Sequence, residues 1–184
     1  MDLEGGYEGE YLPSTEWRMH MDIYKARAEA GAIVHVHSTY ATAMACLRKD
    51  IPCFHYMMGV TGETTLRVSD YAEFGTQDLS DTMLNALKDR TGCLLANHGQ
   101  ICFATDLDKA LWLAGEIESN CHQYWAASVA GKPVLLTDAE MTSVLKRFKT
   151  YGSQPDALKA EDVSAHAVFA PVRRDTKKTK SNKR

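Results

Sequence analysis

Gly31-Ala-Ile-Val-His-Val-His-Ser38 is an apolar run that carries two imidazoles, His35 and His37, two residues apart. Strand side chains repeat with a period of two, so a strand here sends both rings out on one face and Val34 and Val36 to the other. Paired imidazoles on a rigid β-branched element are the geometry of two metal ligands, since neutral imidazole nitrogens bind zinc at about 2.0–2.1 Å. A third ligand must come from elsewhere. His98 is the best candidate: Cys93-Leu-Leu-Ala-Asn-His-Gly99 is an apolar, strand-like run that ends in a turn, where Gly99 lets the backbone bend beside the ring. Three histidines with an open fourth position describe a catalytic metal site rather than a sealed structural one. The bland alternative for an isolated His-x-His is a half-buried strand with two hydrogen-bonded rings.

The flanking residues predict the elements that hold this strand. Residues 1 to 13 are acidic and Gly-rich, with little structure expected of their own. Ser14 or Thr15 can cap a helix whose apolar positions are Trp17, Met21, Tyr24 and Ala28, with Gly31 stopping it. Glu16 then falls in the first turn, where a carboxylate complements the helix dipole, and hydroxyls with free amides at one helix start also suit a phosphate. Ser38 is placed to cap a second helix through Ala41, Met44, Ala45 and Leu47, ended by Lys49-Asp50-Ile51-Pro52. Cys53 to Gly59 reads as a strand with His55 and Tyr56 on opposite faces, and Thr65 to Val68 as a short strand. A helix opens at Asp78-Leu-Ser80, with Met83, Leu84 and Leu87 apolar, and runs to Gly92. The strand to Ala96, the Asn97-His98-Gly99 turn and the strand Ile101 to Ala104 form a hairpin-like unit. A long amphipathic helix follows from Asp106 through Leu107, Leu111, Ala114, Ile117, Cys121 and Trp125 toward Gly131, its length inviting packing across a sheet or on another subunit. Thr137-Asp-Ala-Glu140 is a capping box opening a last helix with Met141, Val144, Leu145 and Phe148, closed at Tyr151-Gly152.

Strands alternating with helices indicate an α/β layered fold. A barrel hydrolase needs about 250 residues, more than the 184 present, and the helices exclude an all-β cupin. With 45% hydrophobic residues, the chain fits one domain with a sizeable core. No run approaches the roughly 18 apolar residues of a membrane span, and the acidic first thirty positions do not resemble a signal peptide, so a cytoplasmic location is expected. The five cysteines are an odd count without Cys-x-x-Cys spacing, which suits reduced, mostly buried thiols. Residues 173 to 184 carry seven Lys or Arg against one Asp, a +6 segment on a remainder of −9. That is a basic tail, expected to be disordered over 153 to 184, and not the folded basic face of a nucleic-acid binder.

Pro13-Ser-Thr-Glu-Trp-Arg-Met-His20, His35-Val-His37, His55-Tyr56, Ala96-Asn-His-Gly99 and Asp108-Lys-Ala-Leu-Trp-Leu-Ala-Gly-Glu116, in this order and spacing, resemble the class II aldolase/adducin family from about Pro13 to Gly152. The resemblance implies a three-layer α/β/α domain over residues 1 to 152, around a central mixed, largely antiparallel sheet. It implies zinc, one ion per subunit with another divalent cation possible, held by His35, His37 and His98. Glu16 would contact the resting metal and then serve as acid/base. Tyr56 would be a proton donor reaching a neighbouring subunit's site, Tyr151 a C-terminal active-site tyrosine, and Ser14 and Thr15 phosphate-binding hydroxyls. The reaction implied is retro-aldol cleavage of a sugar phosphate to dihydroxyacetone phosphate and an aldehyde, in a homotetramer with interface active sites, without nucleic-acid or membrane partners.

Family members carry a longer segment ahead of the Ser-x-Glu motif, including a Gly-Asn-x-Ser loop that holds most of the phosphate, so this chain is expected to be N-terminally short. Metal-dependent epimerases of the family place aspartate where Glu16 stands, and glutamate favours the aldolase branch. A related decarboxylase, and an adducin-like assembly domain without catalysis, are the remaining readings.

Overall fold

The structure is a computed structural model, and residues 1–148 are described. Tyr151 and the basic tail lie outside the described residues. The elements are α1 (Trp17–Ala26), β1 (Ala32–Val36), α2 (Thr39–Ala45), a 3₁₀ helix (Tyr56–Thr61), α3 (Gln77–Ala86), β2 (Gly92–Leu95), β3 (Gly99–Ala104), α4 (Leu107–Ala130) and α5 (Asp138–Phe148).

The strands form an antiparallel sheet in the order β1-β3-β2, with His35 opposite Ile101 and Val36 opposite Gln100. Residues 65 to 68 contribute isolated bridges instead of the expected strand: Leu66 pairs antiparallel with Ile51, and Val68 parallel with Leu94. The pairing is therefore mixed and largely antiparallel, as expected. Each strand alternates between two cores. Ile33, Cys93, Leu95, Ile101 and Phe103 pack with Met19 and Ile23 of α1 and Leu79 and Met83 of α3. Val34, Leu94 and Cys102 face the other way, toward Ala41 and Met44 of α2 and Leu113 and Ile117 of α4. The three-layer α/β/α arrangement is thus written in the period of two.

Several local expectations change. The buried stripe of α1 is Met19 and Ile23, not Trp17, Met21 and Tyr24. The latter three line a cavity of about 340 Å³ with Met1 and Leu3 of the N-terminal segment, so α1 carries two apolar stripes. It ends at Ala26, ahead of Gly31, whose close approach to the Thr105 carbonyl leaves no room for a Cβ. Arg27, one residue past α1, donates to the carbonyls of Leu87 and Arg90 and lies 4.5 Å from the Phe103 ring. With Ser80 donating to Asp22 at 2.6 Å, and Arg18 to the Gly75 carbonyl at 3.0 Å, this clamps α1 to α3 and the segments on either side of it.

Cys53 to Gly59 is not a strand; its second half coils into the 3₁₀ helix, with Met57 and Met58 buried and Tyr56 exposed. Helix α2 ends at Ala45 and α3 at Ala86, both earlier than the apolar pattern suggests. On α4 the buried face is Ala110, Leu113, Ala114, Ile117 and Cys121, leaving Leu107, Leu111 and Trp125 largely exposed. The capping box forms as expected: Glu140 accepts from the Thr137 N–H at 2.7 Å, and Thr137 Oγ1 from the Glu140 N–H at 3.3 Å. Four of the five cysteines are buried and all five are free. Burial pushes the thiols of Cys53, Cys93, Cys102 and Cys121 up, that of Cys102 to about 12. Among the described residues no helix is long and apolar enough to cross a membrane.

Candidate metal centre and cleft

His35 leaves β1 on the α1/α3 side of the sheet and His37 follows it one residue beyond the strand, their Nε2 atoms 3.1 Å apart. His98 arrives from the β2–β3 turn. The turn is made by Asn97, whose φ of 54° is left-handed, so Gly99 is not the bending residue the sequence suggested. What requires glycine at 99 is proximity: a Cβ there would lie 2.6 Å from the Val36 carbonyl oxygen and 2.9 Å from the His37 ring. The three rings pack with centroids 4.8–4.9 Å apart.

Glu16 completes the cluster. It occupies the N-cap position of α1, ahead of the first turn, and no side chain caps the helix. Ser14 Oγ accepts instead from the Glu16 N–H at 3.2 Å, so neither Ser14 nor Thr15 is the expected cap. Freed from capping, the Glu16 carboxylate spans the rings, with Oε2 3.2 Å from His35 Nε2 and Oε1 3.0 Å from His98 Nε2. Oε1 is buried and receives no aligned hydrogen bond despite that proximity. An orphaned carboxylate oxygen facing imidazole nitrogens fits a cation, and the four ligand atoms lie within 4.8 Å of one another.

The ring chemistry agrees. His35 Nδ1 donates to the Gln100 carbonyl at 2.8 Å once that nitrogen carries the proton, which turns the Nε2 lone pair into the cluster. Burial holds His98 below the usual histidine range, with the Glu16 charge opposing and His35 and His37 reinforcing the shift. His20, beside the cluster on α1, is likewise lowered, first by burial and then by His35. The lowered basicity of His98 favours its neutral ring, the form that ligates metal.

A cleft of about 490 Å³ opens over the cluster, lined by Thr15, Glu16, His37, Tyr71, Phe74 and His98 among others. Of the predicted residues, the structure brings together Glu16, His35, His37 and His98, with Thr15 on the cleft wall. Ser14 turns to the cavity under the N-terminal segment, and Tyr56 stands half-exposed on the 3₁₀ helix away from the cleft lining. Sequence reasoning passed over Gln100, which orients His35 from within a strand otherwise read as apolar, and His20, Tyr71 and Phe74, whose positions near the cleft depend on long-range packing.

The family model of the class II aldolase and adducin N-terminal domain matches residues 1–125. The chain is 44% identical over 152 residues to the 5-methylthioribulose-1-phosphate/5-deoxyribulose-1-phosphate aldolase of Rhodospirillum rubrum, covering 83% of this chain and 69% of that protein. It is 42% identical over 153 residues to the L-fuculose phosphate aldolase of Escherichia coli, covering 83% and 71%. A solved structure of L-fuculose 1-phosphate aldolase superimposes with a TM-score of 0.78 at 42% identity, over 81% of this chain and 70% of that one. With relatives this similar along most of its length, the chain belongs to the class II aldolase and adducin family and is an aldolase.

Proposed function

We propose that this protein is a zinc-dependent aldehyde-lyase that cleaves a ketose 1-phosphate to dihydroxyacetone phosphate and an aldehyde. The observation that carries the reading is the convergence of His35, His37, His98 and Glu16 at the floor of an open cleft. The names of the two curated relatives, both aldolases of phosphorylated sugars, support the substrate class.

His35, His37 and His98 would hold the cation, one per chain. A divalent cation there supplies Lewis-acid stabilisation to the negative charge that carbon–carbon cleavage leaves on the ketone-side oxygens. Glu16 is assigned the proton transfer at the ketone-fragment carbon from which the aldehyde departs, because its two oxygens already face the cluster and the cleft. Thr15, on the cleft wall, is assigned to the phosphate; Ser14, expected beside it, lines the neighbouring cavity instead and bonds the Glu16 N–H, which leaves it to hold the Thr15–Glu16 turn.

Tyr56 is assigned the proton transfer at the aldehyde-side oxygen of a neighbouring subunit, and Tyr151 a further active-site contact. The exposure of Tyr56 and its distance from its own cleft support a role across an interface, within a homotetramer. The exposed apolar side chains Leu107, Leu111, Trp125 and Val129 on α4 also suit assembly.

The test is a retro-aldol assay on a panel of ketose 1-phosphates, coupled to dihydroxyacetone phosphate detection, with zinc measured on the same sample. The expected result is cleavage of at least one member, about one zinc per chain, and loss of both in His37→Ala. Cleavage that survives complete metal removal would overturn the reading, as would epimerised or decarboxylated products without carbon–carbon cleavage.

A further inference from the structure

Behind the metal cluster, on the face of β3 that meets α2 and α4, a chain of polar groups is joined that the proposed reaction does not use. The fully buried side chain of Gln100 donates from Nε2 to Ser38 Oγ at 2.8 Å and to the Ala114 carbonyl at 3.1 Å. Ser38 donates in turn to Glu118 Oε2 at 2.7 Å. Glu118, from the middle of α4, also accepts the Ala41 N–H on Oε2 at 2.7 Å and the Tyr40 N–H on Oε1 at 2.8 Å. The first amides of α2 are therefore filled by a carboxylate from another helix. The Ser38 hydroxyl, which the sequence assigned to that cap, makes no capping bond.

Two members of this chain, Ser38 and Gln100, reach the metal cluster in a single step. Ser38 directly follows His37, which lies one residue beyond the last β1–β3 pair, Val36 with Gln100. Gln100 presents its carbonyl oxygen to His35 Nδ1. Its side chain reaches one face of the sheet and its carbonyl holds a ring on the other, so the network on the α2/α4 side bears on the geometry of the α1/α3 side.

We infer that Glu118 is a positioning residue of the metal centre, holding Ser38 and Gln100 from behind the sheet so that the backbone of His37 and the ring of His35 keep their ligating geometry. This rests on the metal assignment made above. An ionised carboxylate that accepts three donors is held far more firmly than a neutral side chain would be. Burial alone would raise the Glu118 carboxyl, yet the Tyr40 amide, the Ser38 hydroxyl and the Ala41 amide together hold it below the ordinary range. Glutamine, nearly the same size, cannot serve all three donors, because its amide nitrogen would confront an N–H or the serine hydroxyl. Outer-shell partners of this kind are worth about 10–100-fold in metal affinity.

The test is zinc titration of the metal-free 184-residue chain against a competing chelator, with the visible spectrum of the cobalt-substituted protein recorded in parallel. Glu118→Gln should raise the zinc dissociation constant about 10–100-fold and alter the cobalt ligand-field bands. Ser38→Ala, which keeps the carboxylate and its two amide bonds and is expected to fold, should raise the constant by a smaller factor. The double variant should be no weaker than Glu118→Gln alone, since both substitutions break one connected path. A purely structural cap would behave differently: the metal-free melting temperature would fall in Glu118→Gln while zinc constants measured well below it stayed at the wild-type value. That result overturns the inference, as do constants within twofold of wild type in both variants; where Glu118→Gln does not fold, Ser38→Ala decides alone. A wild-type chain that binds no zinc overturns the metal assignment itself, and the inference with it.

Discussion

At Glu16 each carboxylate oxygen faces an imidazole nitrogen, Oε2 toward His35 and Oε1 toward His98. Three histidines suffice to hold a metal, so the glutamate can be altered without emptying the site. Glu16→Gln is expected to retain zinc while slowing proton exchange at the ketone fragment by about 10²–10⁴-fold, measured by deuterium wash-in to dihydroxyacetone phosphate. The next position of interest is Gly99, where a Cβ would press on the Val36 carbonyl and the His37 ring. Gly99→Ala should cost about 1–3 kcal/mol in urea unfolding, the usual range for overpacking, and weaken zinc binding in the same protein. At this scale the histidines were legible because a period of two is geometry that any strand imposes. Glu16 was legible from its position only as a helix-start carboxylate, its place beside the histidines coming from the family resemblance, and Gln100 and Glu118 carry no local sign of the donors they meet many residues away.

Elements were legible where capping chemistry or one dominant periodicity spoke. Thr137 and Glu140 form the predicted capping box, and Asp106 opens α4 by accepting the Lys109 N–H at 2.9 Å. The Thr137 N–H and hydroxyl hold the Glu140 carboxyl below its ordinary value of 4.5. A carboxyl lowered in the folded state contributes stability that is present above about pH 4.5 and is lost as pH falls through the folded value. Glu140→Gln should therefore flatten the acid limb of a melting-temperature profile below pH 4.5 and leave the profile nearly parallel to wild type above it. Elements failed where two signals competed. Helix α1 carries one stripe for the sheet and another for the N-terminal segment, and aromatic bulk pointed to the wrong one. Cys53 to Gly59 is too short for periodicity to separate a strand from a helical turn. The expected cap at Ser38 was displaced because the Glu118 carboxylate takes the Tyr40 and Ala41 amides, whereas at α1 Ser14 accepts from the Glu16 N–H and no side chain caps the helix.

For the whole molecule, the layered architecture followed from alternating strands and helices, while the pairing of strands with particular helices required the two cores to be seen. The proposed metal ligands come from a helix start, a strand end and a hairpin turn that are distant in sequence and meet only across the packed α1, β1 and β2–β3 units. Their convergence has a kinetic consequence. Loop-closure entropy makes such long-range junctions late events, so an ion held there, as proposed, would find its full ligand set only after the sheet has closed. A ligand captured after the folding barrier acts on the escape rate. Stopped-flow experiments with and without chelator should show zinc slowing unfolding severalfold and leaving the refolding rate unchanged; faster refolding with zinc would place the junction inside the nucleus. By this account the proposed cation would work as a latch on a finished structure, setting how long the native chain persists rather than how quickly it is reached.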